Sequence, residues 1–502
     1  MSAPLMTLAQ VQQWLQAAND GLPVVLHGAP CTDITRVHTD SRTLEPGDLF
    51  VALRGDKYDA NDFLHQAKEC GASALLCHGG LPASKYPQGL PRIEVANSTL
   101  ALGQLAQAWR AQFTLPLIAV TGSNGKTTVT QMIAAILQRH APDGAALATQ
   151  GNLNNAIGVP LTLLRLRATH RIAVLELGMN HPGEIAQLAA IAQATIALVN
   201  NAQREHLEFM HTVDAVATEN GAVLQALPTS GCAVFGLDDR YTASWMEQNR
   251  ATKVLGFAAA PAQERDGVYG QHALWQDGGW SVQARYRQGA ASGVLHYRLA
   301  IAGQHNVRNS WAAAACALAA GVSPTTIERG LQAFVPVKGR SRALSLVWGG
   351  RSISLIDDSY NANPDSVQAA IDVLHDLPAP RLLVLGDMGE VGDQGAQLHA
   401  QAGRYAHSQG IEHLLATGNL SQSTVQAFVQ AGGQAQHYFD TTALTHAVAQ
   451  ALAHSASVLV KGSRFMRMEK IIEALQDMAA TTTRQGSLSM QPEHFKKANP
   501  CC

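Results

Sequence analysis

The chain has 502 residues, of which 46% are hydrophobic and 15% are charged, so it is a globular protein too long for one hydrophobic core. Lysine and arginine total 36 against 38 acidic residues, and this balance excludes the basic excess that is typical of nucleic-acid-binding proteins. The scattered cysteines, the lack of a signal-peptide pattern and the lack of a long apolar run predict a cytoplasmic protein that is not inserted in a membrane.

The first predicted segment, residues 1–112, is a small α/β unit. Two apolar runs of strand length, 48–53 and 74–77, are separated by a helical pattern over residues 61–70. We therefore expect the chain to begin with a short domain that contains both helices and strands.

A predicted phosphate loop opens the second segment, residues 113–336. An apolar run, 117–120, leads into a glycine-rich turn and then a helical pattern, and such a turn directs backbone N–H groups and the helix dipole at one point. Lys126 adds a charge that can reach terminal phosphates, and the hydroxyl of Thr127 is placed to contact Mg²⁺. An ordinary turn is the alternative, but turn chemistry does not explain a lysine followed by two threonines. The predicted loop comprises Gly122, Ser123, Asn124, Gly125, Lys126, Thr127 and Thr128.

The rest of this segment alternates apolar runs with helical patterns, which predicts a largely parallel sheet with helices on its faces. Residues 266–299 are instead typical of short antiparallel strands that extend the same domain. Glu176 ends one run and His206 follows the next, so both are expected at the carboxyl edge of the sheet, where ligands collect. Alone, Glu176 could cap the following turn, and His206 could be an ordinary surface or core histidine. Together with the phosphate loop, the two residues favour a magnesium site. The runs are 172–177, 195–200 and 233–236.

Two loops carry more amide side chains than a turn requires. Asn152, Asn154 and Asn155 lie close together in the first loop. The second loop, residues 357–364, combines aspartates and asparagines with a tyrosine at a predicted strand end. Tight turns favour asparagine, but such clusters also orient sugars, carboxylates and nucleotides, so both loops are candidate binding loops.

The third segment, residues 337–478, is predicted to be a Rossmann-like domain that follows a linker at residues 336–342. The run from Lys461 to Arg464 comes directly after its last predicted strand, and Arg464 and Arg467 would offer planar donors to a carboxylate. The predicted strands are 353–356, 382–385, 413–416 and 458–460.

A polar tail, residues 479–502, ends the chain. It has few large apolar residues and cannot bury enough surface to offset its ordering entropy, so we predict that it is disordered. The adjacent Cys501 and Cys502 could form a redox pair, but we expect them to be incidental.

Taken together, these motifs resemble the Mur ligase family, and the resemblance extends to about residue 478. The phosphate loop is similar to the family's short ATP loop, which accounts for the close spacing of Gly122 and Gly125. In the first segment, the run Asp40, Ser41 and Arg42 resembles part of the uridine-nucleotide-binding domain of some members. The longer similar segments are GNLNNAIGVPLTLL, LELGMN, GQHNVRNSWAAAACAL, IDDSYNANPDS, VLGDMGEVG and VKGSRFMRMEKIIEAL.

The resemblance implies a three-domain α/β ligase of peptidoglycan precursor synthesis that uses ATP and Mg²⁺ and forms ADP. We expect the chain to be a monomer, a state that the sequence itself does not specify. The free carboxylate of UDP-N-acetylmuramoyl-tripeptide would take the γ-phosphate of ATP and become an acyl phosphate. The amine of D-alanyl-D-alanine would then attack, giving UDP-N-acetylmuramoyl-pentapeptide. Because an anion must approach a polyphosphate, cations and the exclusion of water would be the main catalytic contributions.

The resemblance also implies a role for individual residues. Lys126 and Thr127 would hold the phosphates and a first Mg²⁺, and Glu176 would bind that ion. His206 would help to bind a second Mg²⁺ near the acyl phosphate. Residues implied to contact the nucleotide from the hinge side are Asn306, Asn309, Arg340 and Asn361. Residues implied to bind the other substrates are Ser41, Arg42, Asn152, Asn154, Asn155, Asn363, Lys461, Ser463 and Arg464.

Two departures from the family pattern affect these expectations. Many members carry a lysine, carbamylated by carbon dioxide, beside the second Mg²⁺, whereas this chain has Asn220, whose amide cannot form a carbamate. Glu219 is adjacent but points about 100° away on a helix. We therefore expect a weaker second metal site or a water-mediated contact through Asn220. Residues 59–63 also differ from the Gly-His of relatives, which affects the predicted uridine contacts.

Several alternatives stay open. The ligase that adds the third peptide residue usually has an Asp-Tyr-Ala-His-type segment in place of residues 358–364, which disfavours it here. Folylpolyglutamate synthetase is more distant, and a non-catalytic nucleotide sensor is favoured only by the missing lysine. The third residue of the tripeptide, lysine or diaminopimelate, is not specified, because both present a similar carboxylate.

Overall fold

Three larger β-sheets and one two-stranded sheet organise the chain in the computed structural model, which describes residues 4–18, 21–55, 57–260, 265–276 and 278–488. The larger sheets fall one in each predicted segment, which confirms the predicted α/β fold class. The exact domain boundaries stay predictions. Among the described residues, no helix combines the length and the apolar character needed to cross a bilayer.

The first segment folds around a five-stranded sheet in the order β2-β7-β6-β5-β4. The runs predicted as strands are observed as β5 and β6. The predicted helix is a 3-10 turn, Ala60–Phe63, that continues directly into α2. The elements are β1 (Met6–Thr7), α1 (Leu8–Ala18), β2 (Val25–His27), β3 (Asp33–Ile34), β4 (Arg36–His38), β5 (Asp48–Val51), α2 (Leu64–Glu69), β6 (Ala74–His78), β7 (Arg92–Val95) and α3 (Ser98–Arg110).

The second segment forms a nine-stranded sheet in the order β16-β15-β14-β13-β12-β11-β8-β10-β9. Pairing is parallel from β9 to β14 and antiparallel from β14 to β16, as the sequence predicts. The elements are β8 (Leu117–Thr121), α4 (Lys126–His140), β9 (Ala146–Ala148), α5 (Gly158–Leu163), β10 (Ile172–Glu176), α6 (Glu184–Ala192), β11 (Ile196–Val199), α7 (Leu207–Met210), α8 (Val213–Gln225), β12 (Cys232–Gly236), α9 (Thr242–Gln248), β13 (Lys253–Ala258), β14 (Gly267–Gln276), β15 (Gly279–Gln288), β16 (Ala291–Leu299), α10 (Gln304–Ala319) and α11 (Pro324–Gln332).

The parallel strands β8, β10, β11 and β12 of the central sheet are buried on both faces, because they are continuous apolar runs. Along β8, Leu117 and Ala119 belong to one hydrophobic core, and Ile118 and Val120 belong to the core on the other face. Successive side chains of a strand point to opposite faces, so a fully apolar strand needs helices on both sides. This packing leaves only the strand ends available for polar chemistry.

The third segment has a six-stranded sheet in the order β17-β18-β22-β19-β20-β21. All pairs are parallel except β17 with β18. The last helix runs to Leu488, past residue 479 where the predicted tail starts; Cys501 and Cys502 lie outside the described residues. The elements are β17 (Arg342–Trp348), β18 (Arg351–Asp358), α12 (Pro364–His375), β19 (Arg381–Leu385), α13 (Gly395–Ser408), β20 (His413–Thr417), α14 (Ser421–Gln430), β21 (Gln434–Tyr438), α15 (Thr441–Ala451), β22 (Ser457–Lys461) and α16 (Glu469–Leu488).

Candidate active site

A cleft of about 1200 Å³ lies where the three segments meet, and its wall takes residues from each of them. The strands β10, β8 and β11 are neighbours in the central sheet, so their carboxyl ends open side by side into this cleft. The predicted site residues in the wall are Ser123, Asn124, Gly125, Lys126, Thr127, Thr128, Asn152, Asn154, Asn155, Glu176, His206, Asn306, Asn309, Arg340, Asn361, Asn363, Lys461, Ser463 and Arg464.

The phosphate loop joins β8 to α4 and depends on two glycines. Gly122 has a φ of 130°, and Gly125 has a φ of 81° at the N-terminus of α4. Side chains rarely adopt these angles, and a Cβ on Gly125 would lie 2.7 Å from Oδ1 of Asn309 and 2.9 Å from Nδ2 of Asn200. Glycine is therefore required for both the backbone conformation and the close approach of these amides.

Lys126 begins α4 and folds back onto the loop. Its Nζ donates to the carbonyl oxygens of Gly122 at 2.5 Å and Ser123 at 3.1 Å. The same Nζ lies 3.1 Å from Oε2 of Glu205. These groups hold the ammonium at the mouth of the loop. A terminal phosphate would have to compete with them for the ammonium group.

Glu176 is the last residue of β10 and is buried beside the loop. Its Oε1 accepts hydrogen bonds from Nδ2 of Asn154 at 2.7 Å and from the hydroxyl of Thr127 at 3.1 Å. Its Oε2 is buried and has no hydrogen-bond partner among the described residues. A buried carboxylate oxygen without a partner is costly unless a cation completes it, so this position fits a metal ligand.

His206 follows β11 and precedes α7, with a φ of 48°. Its Nδ1 pairs with Oε2 of Glu390 from the third segment, and this hydrogen bond lowers the pKa of the Glu390 carboxyl. Its Nε2 lies 3.7 Å from Oε2 of Glu205. The prediction that Glu176 and His206 share one edge of the sheet is confirmed by this arrangement.

Glu205 is a site residue that the sequence analysis missed. Its side chain is 5% exposed, it pairs with Lys126, and its Oε1 has no hydrogen-bond partner among the described residues. The signal was present in the sequence as a carboxylate directly before His206. Charged residues at a strand end are more often exposed to solvent, however. Only the fold shows that Glu205 is buried.

The carboxylates fit Mg²⁺, although the protein groups do not form a complete cage. Among the described residues, no group of three or more His, Cys, Asp and Glu side chains is arranged to hold a metal ion. Mg²⁺ commonly binds through one or two carboxylates and takes its other ligands from water and substrate phosphates. Glu176 with the hydroxyl of Thr127 matches that pattern, because a carboxylate oxygen is left free beside the loop.

Asn306 and Asn309 lie in the first turns of α10 and are buried. Oδ1 of Asn309 accepts from Nδ2 of Asn200 at 2.9 Å, and Nδ2 of Asn309 donates to Oδ1 of Asn306 at 2.9 Å. Nδ2 of Asn200 also donates to the carbonyl of Asn124 in the phosphate loop at 2.8 Å. The two helix amides therefore brace the loop, and their contact with a nucleotide stays a prediction.

Polar contacts between the second and third segments cross the cleft. Arg204 donates from its backbone N to Oδ2 of Asp365 at 2.7 Å and from Nη2 to Oδ1 at 2.8 Å. Nδ2 of Asn363, the N-cap of α12, donates to Oδ1 of Asn124 at 2.9 Å. The third segment is therefore positioned against the phosphate loop itself.

Arg340 and Arg464 lie on the ring of Tyr360. Their guanidinium carbons are 4.0 Å and 5.2 Å from the ring centroid, and Nη2 of Arg340 is 3.3 Å from the hydroxyl of Thr127. Arg464 is 63% exposed and also pairs with Glu469 at 3.0 Å. The ring thus holds two planar cations at the cleft wall, one of which reaches the phosphate loop.

Lys461 and Ser463 are less available than Arg464. Nζ of Lys461 lies 2.6 Å from Oδ2 of Asp358 and 2.9 Å from the carbonyl of Asn361, and the side chain is 3% exposed. The hydroxyl of Ser463 donates to the carbonyl of Asp387 at 2.6 Å. Both side chains therefore already stabilise the loops that form the cleft wall.

Asn220 lies outside the cleft wall, on α8, and is fully buried. Its Oδ1 accepts from the hydroxyl of Thr121 at 2.6 Å, and its Nδ2 donates to the carbonyl of Val216 at 3.0 Å. Glu219 bonds the backbone N–H groups of Gly183 and Ile185 at the start of α6. The amide of Asn220 therefore ties α8 to β8 in the core, and the expected metal contact through Asn220 stays a prediction.

Ser41 and Arg42 also lie apart from the cleft wall, in a 3-10 turn of the first segment. Arg42 pairs with Asp40 at 2.7 Å, and this hydrogen bond holds the pKa of the Asp40 carboxyl far below its usual range. Asp59 caps the turn that precedes α2, and Asn61 accepts from the N–H of His78 at 3.1 Å. The predicted uridine contacts of this region stay predictions.

Family models of three Mur ligase domains match the chain. The model "Mur ligase family, catalytic domain" matches residues 33–110, "Mur ligase middle domain" matches residues 120–317, and "Mur ligase, glutamate ligase domain" matches residues 339–464. The three matches follow one another along the chain and coincide with the three larger sheets.

Curated relatives and solved structures match nearly the full length. The UDP-N-acetylmuramoyl-tripeptide--D-alanyl-D-alanine ligase of Escherichia coli is 38% identical over 465 residues, covering 92% of this chain and 98% of the relative. The enzyme of the same name from Haemophilus influenzae is 33% identical over 479 residues, covering 94% and 98%. A crystal structure of MurF from Acinetobacter baumannii has a TM-score of 0.83 at 33% identity, covering 95% of this chain and 100% of that one.

Proposed function

The chain belongs to the Mur ligase family, and from that premise we propose that it joins D-alanyl-D-alanine to UDP-N-acetylmuramoyl-tripeptide while ATP is converted to ADP and phosphate. One observation carries this function: the phosphate loop opens between Glu176 and His206 in a cleft that the third segment completes. Such a cleft would bring a nucleotide, a carboxylate and an amine together in one place.

In the first step, the tripeptide carboxylate oxygen attacks the γ-phosphorus of ATP, the bond to the β-phosphate oxygen breaks, and ADP leaves. The N–H groups at the start of α4 and the ammonium of Lys126 at the mouth of the loop would bind the phosphates. Bound Mg²⁺ would neutralise phosphate charge, and Glu176 with Thr127 would hold it. Positive charge from the chain thereby reduces the repulsion between the two anions.

In the second step, the amine of D-alanyl-D-alanine attacks the acyl carbon, and phosphate leaves the tetrahedral intermediate. Lys126 is placed to stabilise the departing phosphate, because it lies at the mouth of the loop. Arg464 is the best-placed partner for the dipeptide carboxylate, since it lines the cleft, is 63% exposed and has a planar donor group. Lys461 would act through the loop that it stabilises, because it is already paired with Asp358.

The reaction is assigned to the cytoplasm because it consumes ATP. The scattered cysteines fit a reducing compartment, and a monomeric state stays a prediction.

A phosphate-release assay tests the proposed function. Purified enzyme is supplied with ATP, Mg²⁺ and UDP-N-acetylmuramoyl-tripeptide, together with either D-alanyl-D-alanine or a single amino acid. We expect phosphate release that requires the dipeptide and is matched by formation of the pentapeptide nucleotide. Release with a single amino acid instead would assign the chain to a neighbouring ligase activity, and no release with either acceptor would contradict a catalytic function.

A further inference from the structure

Phe465 is a large apolar side chain that stands exposed in the cleft wall. Its side chain is 64% exposed, whereas phenylalanine is usually buried. Single exposed hydrophobic residues are common on protein surfaces and need no explanation there. Among the described residues with large exposed hydrophobic side chains, however, only Phe465 lines the cleft. Its ring therefore offers apolar surface to whatever the cleft binds.

The turn that carries Phe465 is fixed in place by hydrogen bonds. It is a 3-10 turn, Arg464–Met466, that comes shortly after β22. The backbone N–H of Met466 donates to the carbonyl of Ser463 at 2.9 Å. Ser463 in turn donates to the carbonyl of Asp387 from its backbone N at 2.9 Å and from its hydroxyl at 2.6 Å. The backbone below the ring is thus held to the neighbouring loop of the third sheet.

A glycine lets that neighbouring loop pass close to the ring. A Cβ on Gly389 would lie 3.3 Å from Cε1 of Phe465 and 3.4 Å from Cβ of Ser463, which is tighter than ordinary contact. The loop backbone therefore supports one edge of the ring, while most of the ring surface stays open to the cleft. An aromatic ring that is supported on one side and open on the other can bury a small apolar group at little cost in side-chain entropy.

Arg464 places a cation directly beside this apolar surface. Its side chain is 63% exposed and lines the cleft, and its guanidinium carbon lies 5.2 Å from the ring centroid of Tyr360. A planar cation and an aromatic ring at adjacent positions match a ligand that carries a carboxylate and a small apolar side chain on the same carbon atom. The C-terminal residue of D-alanyl-D-alanine is such a group.

We propose that Phe465 is a specificity-determining residue, which packs against the methyl group of the C-terminal D-alanine while Arg464 binds the adjacent carboxylate. The proposal rests on the proposed function and deepens it, because it assigns a residue to the choice of dipeptide. Burying a methyl group on an apolar surface is favourable, so this contact selects alanine over glycine at the C-terminal position. The contact is made in the bound dipeptide and in the transition state alike, so it should act on KM more than on kcat.

A comparison of two dipeptides tests this assignment. The full chain is supplied with ATP, Mg²⁺ and UDP-N-acetylmuramoyl-tripeptide, and kcat/KM for phosphate release is measured with D-alanyl-D-alanine and with D-alanyl-glycine. We expect wild type to prefer D-alanyl-D-alanine by about tenfold or more, and Phe465→Ala to retain a preference of about twofold or less. The loss should be a higher KM for D-alanyl-D-alanine, with kcat/KM for D-alanyl-glycine within about twofold of wild type.

Three further variants separate the methyl contact from other effects. Phe465→Leu keeps apolar bulk and should keep a preference of about fivefold or more. Arg464→Gln should lower kcat/KM for both dipeptides by a similar factor and leave the preference unchanged, because both dipeptides have the carboxylate. Phe439→Ala is the matched control, since Phe439 is 89% exposed and lies outside the cleft wall, and it should behave like wild type.

The assignment of Phe465 is overturned if wild type does not distinguish the two dipeptides, or if Phe465→Ala keeps the wild-type preference. An equal loss with both dipeptides would likewise overturn it, because that result indicates a purely structural residue. In each of these cases wild type still releases phosphate with D-alanyl-D-alanine, and the proposed function stands. No release by wild type with either dipeptide would instead contradict the proposed function and, with it, the role of Phe465.

Discussion

Carboxylates at the carboxyl edges of the central and third sheets have different surroundings, although both kinds follow buried parallel strands. In the third sheet, Oδ2 of Asp358 binds Lys461 at 2.6 Å, and Asp387 accepts the backbone N–H groups that begin α14. In the central sheet, Glu176 and Glu205 each keep a buried oxygen without a partner among the described residues.

The difference indicates what each edge is built to do. Charges that are already compensated in the third sheet stabilise its loops and keep the cleft wall in place. In the central sheet, each buried carboxylate oxygen that has no partner destabilises the metal-free protein and favours the binding of a cation there. Replacing carboxylates at the two edges should therefore have opposite effects on stability and activity.

Glu176→Gln should lower activity strongly with no loss of stability. The substitution keeps the shape of the side chain but removes the charge beside Thr127, so we expect kcat to fall by about 10²–10³-fold. In EDTA, the midpoint of thermal unfolding should stay equal to that of wild type or rise, because an uncompensated buried anion is lost. If the variant has a lower midpoint of thermal unfolding in EDTA and keeps its kcat, the proposed difference between the two sheet edges is contradicted.

Asp358→Asn should mainly destabilise the protein. Lys461 is 3% exposed, and losing its partner leaves a buried ammonium, which should cost about 3 kcal/mol of unfolding free energy. Glu473→Gln is the matched control, because Glu473 pairs with Lys338 where both side chains are about half exposed, and we expect about 0.5 kcal/mol or less. Denaturant titration of both variants measures the difference, and equal losses would show that the Asp358 pair is not a buried structural pair.

Asn220→Ala should have a smaller effect, confined to stability. The hydroxyl of Thr121 would lose its acceptor inside the core, which should cost about 1–2 kcal/mol in a denaturant titration. The Mg²⁺ concentration that gives half-maximal phosphate release should not change. A clear rise in that Mg²⁺ concentration would instead show that Asn220 contributes to metal binding.

The sequence was sufficient to predict those parts of the site whose residues lie close together along the chain. The phosphate loop is recognisable because a buried strand, two glycines at positive φ, Lys126 and the start of a helix follow one another within a few residues. Glu176 and His206 could be placed at one edge because parallel strands end together. The antiparallel extension of the central sheet was also predicted from local composition, since aromatic residues lie among glycines and glutamines within residues 266–299.

Features that depend on distant parts of the chain were not predictable from local patterns. The bond network between Arg204 and Asp365 joins residues from different segments, and no spacing in the sequence reports it. Glu205 differs from the polar residues around it only in being buried, which is set by packing. Asn220 looked like a replaced metal group, but its surroundings in the core make it a structural link between α8 and β8.

The central claim is that positive charge gathered at Lys126 allows the tripeptide carboxylate to attack the γ-phosphate. Lys126→Met removes that charge while keeping most of the apolar length of the side chain. With ATP, Mg²⁺, the tripeptide nucleotide and D-alanyl-D-alanine all supplied, we expect formation of the pentapeptide nucleotide to fall by about 10³-fold or more in a folded variant. A yield equal to that of wild type would contradict the account.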